Sequence, residues 1–346
     1  MEDNDFKILS LDGGGIRGAF SASVLAAIEK NLEEDKDYDN KSKSIIDYFD
    51  LVTATSTGGI IAIGLGLGKS AQEMVTFYDD NAELIFPLTG LAGGIPGMMS
   101  SLWRDIRKFT YGPKHDPEQL HESLESVFES KKLGHSKSRL IITAYNGSSD
   151  NAHFFKTYHV NDSEDDPYYH GRHYRMSASD IAMATSAAPL YYAAKKLPLG
   201  DDGEGLHFLD GGVFANTPIL PGIAEAVRFF NKPIDKIKVL SIGTTYKRFK
   251  LADSQQSGGV VNWGLDLGKL LFSAQQASVV GTTRVLLNDR FQRITQSVDK
   301  DIKLDDSSSV GKLIDLGLAV GEDSAEKVKS KFCLNIADKF TPEKMP

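Results

Sequence analysis

The chain has 346 residues, a single cysteine, 41% hydrophobic and 25% charged residues, and a formal net charge of −8. This size and composition are typical of a soluble globular protein with one large α/β domain or two ordinary ones. The negative charge argues against binding a nucleic acid polymer, and one cysteine excludes an internal disulfide or a cysteine-based zinc site. No stretch approaches the roughly 20 apolar residues of a membrane span, and no basic, apolar signal opens the chain. We therefore expect a cytoplasmic protein.

Two strand–turn–helix units open the sequence. Residues 6–11 predict a short buried strand, followed by a glycine cluster and a helix over 19–32. Residues 48–54 predict a second strand, which leads through Ser56 into a helix over 58–68. This repeated order indicates a mostly parallel sheet covered by helices.

The remaining elements continue without a linker that would divide the chain. Segment 254–259 is the best candidate for a flexible loop. We expect one domain over 1–346, with its core motifs in 6–244 and a helical C-terminal extension from about 251. The later patterns predict helices over 116–130, 177–188, 263–281 and 311–331, and strands over 139–145, 206–209, 238–242 and 291–295.

The first candidate motif is the run Asp12-Gly13-Gly14-Gly15-Ile16-Arg17-Gly18, between the first strand and its helix. Glycines let a ligand approach the backbone N–H groups closely, and a helix N-terminus favours negative charge. A bound phosphate and the oxyanion of an acyl transfer both fit such a loop. The spacing also matches a dinucleotide fingerprint, but its acidic residue at a second strand end is missing. A purely structural turn is a further alternative.

The second motif, Ala54-Thr55-Ser56-Thr57-Gly58-Gly59, places a serine at a sharp strand-to-helix turn. It is typical of a nucleophile elbow, whose usual signature is Gly-x-Ser-x-Gly. Ala54 stands where that signature has its first glycine. Alanine is small enough for a tight turn but tolerates positive φ poorly, so this departure weakens the match to the motif. Alternatively, Ser56 only caps the following helix.

The third motif is Asp210-Gly211-Gly212 at the end of a predicted short strand. A serine nucleophile needs a base, and none of the eight histidines occupies a comparable glycine-flanked strand end. Asp210 is therefore the economical candidate for that base.

Together, in this order, the three motifs resemble the patatin-like phospholipase family. The resemblance implies a three-layer α/β/α sandwich with a mostly parallel central sheet. It implies a lipid acyl hydrolase with a Ser56–Asp210 dyad, an oxyanion hole at Gly13, Gly14 and Gly15, and no metal or cofactor. Arg17 would hold the glycine loop or bind a phosphate of the phospholipid substrate. The protein would reach that substrate by peripheral contact with the membrane. The stretch 184–189 is similar to one that lies near the active site in the family.

Other functions stay open at the level of sequence. A nucleotide-binding module would use only the glycine loop, and a storage or interaction protein would share the fold with little turnover. Some bacterial members that resemble this chain are activated by cyclic dinucleotides, but no residue can be matched to a site for them. The oligomeric state is not indicated by any pattern.

One segment predicts membrane contact. Residues 84–111 are rich in glycine and large apolar residues and end near Arg104, Arg107 and Lys108. We expect part of this segment, including Leu102 and Trp103, to form a mobile lid over Ser56.

Overall fold

A computed structural model describes residues 5–35, 42–85, 115–157, 173–199, 205–263 and 266–342. Its centre is a mixed eight-stranded sheet with the order β5-β6-β3-β2-β1-β7-β8, in which β4 also pairs with β3. The strands are β1 (Phe6–Leu11), β2 (Leu51–Thr55), β3 (Leu140–Asn146), β4 (Asn151–Lys156), β5 (Lys195–Leu197), β6 (Leu206–Asp210), β7 (Ile237–Tyr246) and β8 (Phe291–Ser297).

Five neighbouring strands, β3, β2, β1, β7 and β8, are parallel, whereas β4, β5 and β6 pair antiparallel. The helices are α1 (Gly18–Glu34), α2 (Thr57–Gly66), α3 (Ala71–Ile85), α4 (Pro117–Phe128), α5 (Ala178–Thr185), α6 (Gly212–Ala215), α7 (Ile219–Arg228), α8 (Asp253–Gln256), α9 (Val260–Trp263), α10 (Asp266–Leu287) and α11 (Val310–Phe332).

The core lies on both faces of the sheet, since successive side chains of a strand point to opposite faces. Leu9 and Leu11 of β1 pack into a large cluster with α1 to α5 and α11. Phe6 and Ile8 of the same strand pack into a smaller cluster with α7 and the end of α10. The predicted three-layer α/β/α sandwich with a mostly parallel sheet is confirmed.

Strand β3 shares one of its flanks between two strands. Its pairing with β4 occupies one flank over residues 141–146. The other flank pairs with β2 over 140–143 and with β6 over 144–146, in opposite directions. Therefore β2 and β6 run towards each other along β3, and their ends meet.

The C-terminal part belongs to the same sandwich. Strand β8 extends the sheet beside β7, and α11 packs closely on α1. A Cβ at Gly317 would lie 2.5 Å from the Phe20 carbonyl oxygen, and one at Gly321 would lie 2.7 Å from that of Val24. These two glycines therefore allow the backbones of α1 and α11 to approach each other closely.

Several local expectations need correction. Residues 45–48 form a 3-10 helix, so β2 begins only at Leu51. Part of the expected flexible loop 254–259 is helical in α8. Of the predicted lid, only residues 84 and 85 are described, at the end of α3, and Ile85 is buried. Residues 86–111 lie outside the described residues.

None of the helices in the described part of the chain combines the length and the apolar character needed to cross a bilayer.

Candidate active site

Ser56 lies at the turn between β2 and α2, at the carboxyl edge of the sheet. Its backbone has φ 53° and ψ −126°, a strained region for a residue with a side chain. The Ser56 amide donates to Thr185 Oγ1 at 2.8 Å, and that hydroxyl donates to the Thr143 carbonyl at 2.6 Å. This hydrogen-bond chain holds the turn, and the serine is 7% exposed.

Ala54 introduces no strain into this turn. It lies within β2, paired with Leu11 of β1, and the positive φ falls on Ser56 instead. The position that does require glycine is Gly58, where a Cβ would lie 2.5 Å from the Leu11 carbonyl oxygen. The backbone at position 54 therefore does not require the glycine of the usual signature.

Asp210 is the last residue of β6 and is 6% exposed. Its amide donates to the Ala187 carbonyl at 3.0 Å, and its Oδ1 accepts from the Gly212 amide at 2.6 Å. The intervening Gly211 leaves no room for a side chain, because a Cβ there would lie 2.0 Å from Thr143 Oγ1. The two glycines thus allow the chain after Asp210 to turn tightly enough for the Gly212 amide to reach the Asp210 carboxylate.

Strand register brings Ser56 and Asp210 together. Thr55 pairs with Thr143 and Asp210 pairs with Ala144, on the same flank of β3. Because β2 and β6 run in opposite directions, the residue after Thr55 faces the end of β6. The Ser56 side chain is accordingly a hydrogen-bonding neighbour of the Asp210 carboxyl group.

Burial raises the pKa of Asp210 from 3.8 to about 6, against the lowering effect of hydrogen bonds from Ser56 and the Gly212 amide. A carboxylate whose pKa lies near the operating pH is suited to general base catalysis. The pair has the composition and the proximity for an activated serine nucleophile.

The glycine loop lies against the same pair. A Cβ at Gly13 would lie 3.0 Å from Ser56 Cβ and 2.6 Å from Asn216 Oδ1. The Gly13 amide, however, donates to the Asn216 carbonyl at 3.1 Å. Among the described residues, no hydrogen-bond acceptor is found for the amides of Gly14 and Gly15. Of the three amides predicted to bind an oxyanion, that of Gly13 is therefore already engaged with a backbone carbonyl.

The side chain of Asp12 ties the loop to the C-terminal part of the chain. Arg293 of β8 donates from Nη1 to Asp12 Oδ1 at 2.8 Å and from Nη2 to Oδ2 at 2.5 Å. Thr217 Oγ1 and Gln276 Nε2 donate to the same Oδ2 at 2.8 and 3.1 Å. The Asp12 and Arg293 side chains are only 1% and 5% exposed, so this pair is largely shielded from water.

A second contact from α10 fixes the loop that follows Asp210. The amide of Asn216 donates to Gln275 Oε1 at 2.7 Å. Neighbouring residues of one helix therefore hold both loops of the site, Gln276 through Asp12 and Gln275 through Asn216.

Arg17, predicted to hold the loop or bind substrate, holds the loop in this structure. Its Nε donates to the Gly14 carbonyl and its Nη1 to the Thr245 carbonyl, both at 3.2 Å. Its contact with substrate stays a prediction. Within the described ranges, no group of three or more His, Cys, Asp or Glu side chains is arranged to hold a metal ion.

The three motifs did not identify every residue that shapes the site. Thr185 lies in the stretch 184–189 that the resemblance placed near the active site, so a signal for it was present. Asn216 lies four residues after the end of the third motif. Gln275 and Gln276 lie in an ordinary helical pattern, and nothing local distinguishes them.

Comparison with known proteins identifies the family. A family model described as patatin-like phospholipase matches residues 9–223. A cGAMP-activated phospholipase from Vibrio cholerae is 34% identical, over 97% of each chain. Another protein of that name from Pseudomonas aeruginosa is 32% identical, over 88% of this chain and 84% of the relative. Patatin-like protein 4 of Arabidopsis thaliana is 30% identical, over 88% and 79%.

The fold has a counterpart among solved structures. The crystal structure of VipD from Legionella pneumophila aligns with a TM-score of 0.50 and 11% identity, covering 95% of this chain and 67% of that one. At this identity the likeness concerns the fold alone. The family model and the full-length relatives establish that the chain belongs to the patatin-like phospholipase family and is a lipid acyl hydrolase.

Proposed function

We propose that this protein is a phospholipase A-type enzyme that cleaves fatty-acyl esters of glycerophospholipids through Ser56 and Asp210. The observation that carries the proposal is the meeting of β2 and β6 on one flank of β3. It places a strained, buried serine beside a buried carboxyl group whose pKa is near 6.

In the first step, Asp210 accepts the proton of Ser56 while Ser56 Oγ attacks the ester carbonyl carbon. The C–O bond to the glycerol oxygen breaks, that oxygen takes the proton from Asp210, and the acyl group stays on Ser56. Asp210 then takes a proton from a water molecule whose oxygen attacks the acyl carbon. The bond from that carbon to Ser56 Oγ breaks, Ser56 Oγ takes the proton back from Asp210, and the fatty acid leaves.

The amides of Gly14 and Gly15 are the proposed donors to the oxyanion of each tetrahedral intermediate. Removing one such donor typically costs about 100- to 1,000-fold in rate. The glycine loop is held by Asp12 and Arg17 before substrate arrives, which reduces the reorganisation needed in the transition state. In this role Gly13 contributes its lack of a side chain rather than its amide.

We further propose that the enzyme contacts its membrane substrate peripherally and that a cyclic dinucleotide activates it. The support for activation is that two relatives named cGAMP-activated phospholipase align with this chain over most of its length. Adding cGAMP to the purified enzyme should raise phospholipid hydrolysis. No change in either rate or melting temperature at saturating cGAMP would contradict the activation.

The test of the dyad compares fatty-acyl ester hydrolysis by wild type, Ser56→Ala and Asp210→Asn, each with and without cGAMP. Both variants should lose nearly all activity. Ser23→Ala removes another buried serine hydroxyl, which bonds only within α1, and should remain active. Substantial ester hydrolysis by Ser56→Ala would exclude the mechanism, and folded wild type without turnover would favour an interaction protein on the same fold.

A further inference from the structure

Helix α10 exposes an apolar surface next to the candidate site. Of its 22 residues only Thr283 and Leu287 are buried, and its only charged residues are Asp266, Lys269 and Arg284. A helix that carries so few charged residues and several large apolar ones is normally covered on its apolar side. We therefore expect the exposed apolar part of α10 to contact another molecule.

The exposed part continues the helix face that touches the catalytic loops. Leu271 and Phe272 precede Gln275 and Gln276 by four residues each, so the two pairs lie on one side of the helix. At a rise of 1.5 Å per residue, they lie about 6 Å farther along the axis. Leu271 is 62% exposed and Phe272 is 45% exposed.

A basic loop lies at the same edge of the sheet. Strand β7 runs parallel to β1, so the residues after Tyr246 emerge at the edge that carries the glycine loop. Lys247, Arg248 and Lys250 are exposed there, and none pairs with an acidic side chain among the described residues. Leu251 follows them and is 51% exposed.

One glutamine joins the basic loop to the start of α10. The Ala252 amide donates to Gln255 Oε1 at 3.0 Å, and Gln255 Nε2 donates to Asp266 Oδ2 at 3.1 Å. The cations and the apolar turns of α10 therefore belong to one structural unit beside the candidate site.

We propose that this unit, the basic–apolar rim, docks on the surface of an anionic phospholipid bilayer. The cations would meet headgroup phosphates while the apolar side chains enter the acyl region, as at other membrane-surface sites. The chain carries a net charge of −8, and Asp266 and Asp301 lie beside Lys269 at the start of α10, so the three cations of the basic loop supply the positive charge of this surface. The inference rests on the proposed function for the choice of a lipid occupant. The rim consists of Lys247, Arg248, Lys250, Leu251, Leu271 and Phe272.

The test measures co-sedimentation with vesicles of phosphatidylcholine and phosphatidylglycerol, with and without cGAMP, separately from hydrolysis. Replacing Lys247, Arg248 or Lys250 singly with glutamine should weaken vesicle binding about fivefold each, equivalent to about 1 kcal/mol per charge. Lys236→Gln, at the opposite end of β7, is the matched control and should bind like wild type.

The apolar arm uses the double variant Leu271→Ser/Phe272→Ser, which should lower vesicle binding and vesicle hydrolysis about tenfold more than hydrolysis of a soluble short-chain ester. Val285→Ser, 85% exposed near the other end of α10, is its control. Vesicle binding is measured independently of hydrolysis. An inactive enzyme that still binds vesicles through the rim would therefore contradict the proposed phospholipase function but support docking through the rim.

Three results would contradict docking through the basic–apolar rim. The wild type would fail to bind these vesicles both with and without cGAMP, the rim variants would bind as well as the wild type, or the control variants would lose as much binding as the rim variants. A double variant whose mass by light scattering falls to that of a monomer, from a dimeric wild type, would show instead that a second copy covers this face.

Discussion

Replacing Asp210 with asparagine should abolish catalysis and at the same time stabilise the fold at neutral pH. Burial raises the pKa of Asp210 from 3.8 to about 6, so the native state favours the protonated form. The folded protein consequently binds the proton more tightly than the unfolded chain, and stability is lost as pH rises from about 4 to 6. Asparagine keeps the shape and an acceptor for Ser56 and Gly212 but carries no charge to desolvate.

The size of the effect follows from the shift. A difference of about two pKa units corresponds to a penalty of about 3 kcal/mol on wild type once Asp210 is fully ionised, near pH 8. At pH 5 the penalty is only about 1.5 kcal/mol, because the native carboxyl group is still mostly protonated. Asp210→Asn should therefore gain about 1.5 kcal/mol relative to wild type between these two pH values.

Urea denaturation of both proteins at several pH values measures this difference. Asp235→Asn, at an exposed position before β7, tests the general effect of removing one negative charge from an acidic chain. A stability difference between wild type and Asp210→Asn that stays constant across this range would refute the reasoning. So would an equal pH-dependent gain in Asp235→Asn.

Three further predictions follow from the site. The kcat/KM of wild type for a soluble ester should fall about tenfold per pH unit below about pH 6, because Asp210 must be ionised to accept a proton; a flat profile down to about pH 5 would contradict this. Arg293→Gln should lower the free energy of unfolding by about 3 to 5 kcal/mol, because it leaves Asp12 buried without its ion-pair partner. Urea denaturation measures this loss, and Arg284→Gln, at an exposed position, should change the stability little. Gly211→Ala should prevent folding or activity, since its Cβ would lie 2.0 Å from Thr143 Oγ1, while Gly147→Ala, with its nearest contact at 3.6 Å, should be tolerated in both assays.

The sequence predicted those parts of the fold that depend on local patterns. Strand β1, its glycine loop and α1 follow from a buried run, a glycine cluster and helical spacing, and they form as expected. The predicted positions of Ser56 and Asp210 at strand ends also agree with the structure, because a tight turn demands small residues beside the functional one. Their roles in catalysis stay a prediction.

The arrangement between distant segments could not be predicted in this way. The division of one flank of β3 between β2 and β6 depends on pairing partners, and neither strand carries a local sign of its register. The same holds for Gln275 and Gln276, whose importance comes from where α10 crosses the catalytic loops. Ala54 was judged from the usual elbow signature, although the strained backbone belongs to Ser56 itself.

The central claim, that Ser56 is the residue acylated during turnover, can be tested by labelling. The purified enzyme is treated with a long-chain alkyl fluorophosphonate, which reacts with activated serines, and the modified peptide is identified by mass spectrometry. We predict one adduct, on Ser56, whose formation parallels the loss of esterase activity and is nearly absent in Asp210→Asn. Inactivation with the label on another residue, or full labelling of Ser56 in Asp210→Asn, would contradict the Ser56–Asp210 mechanism.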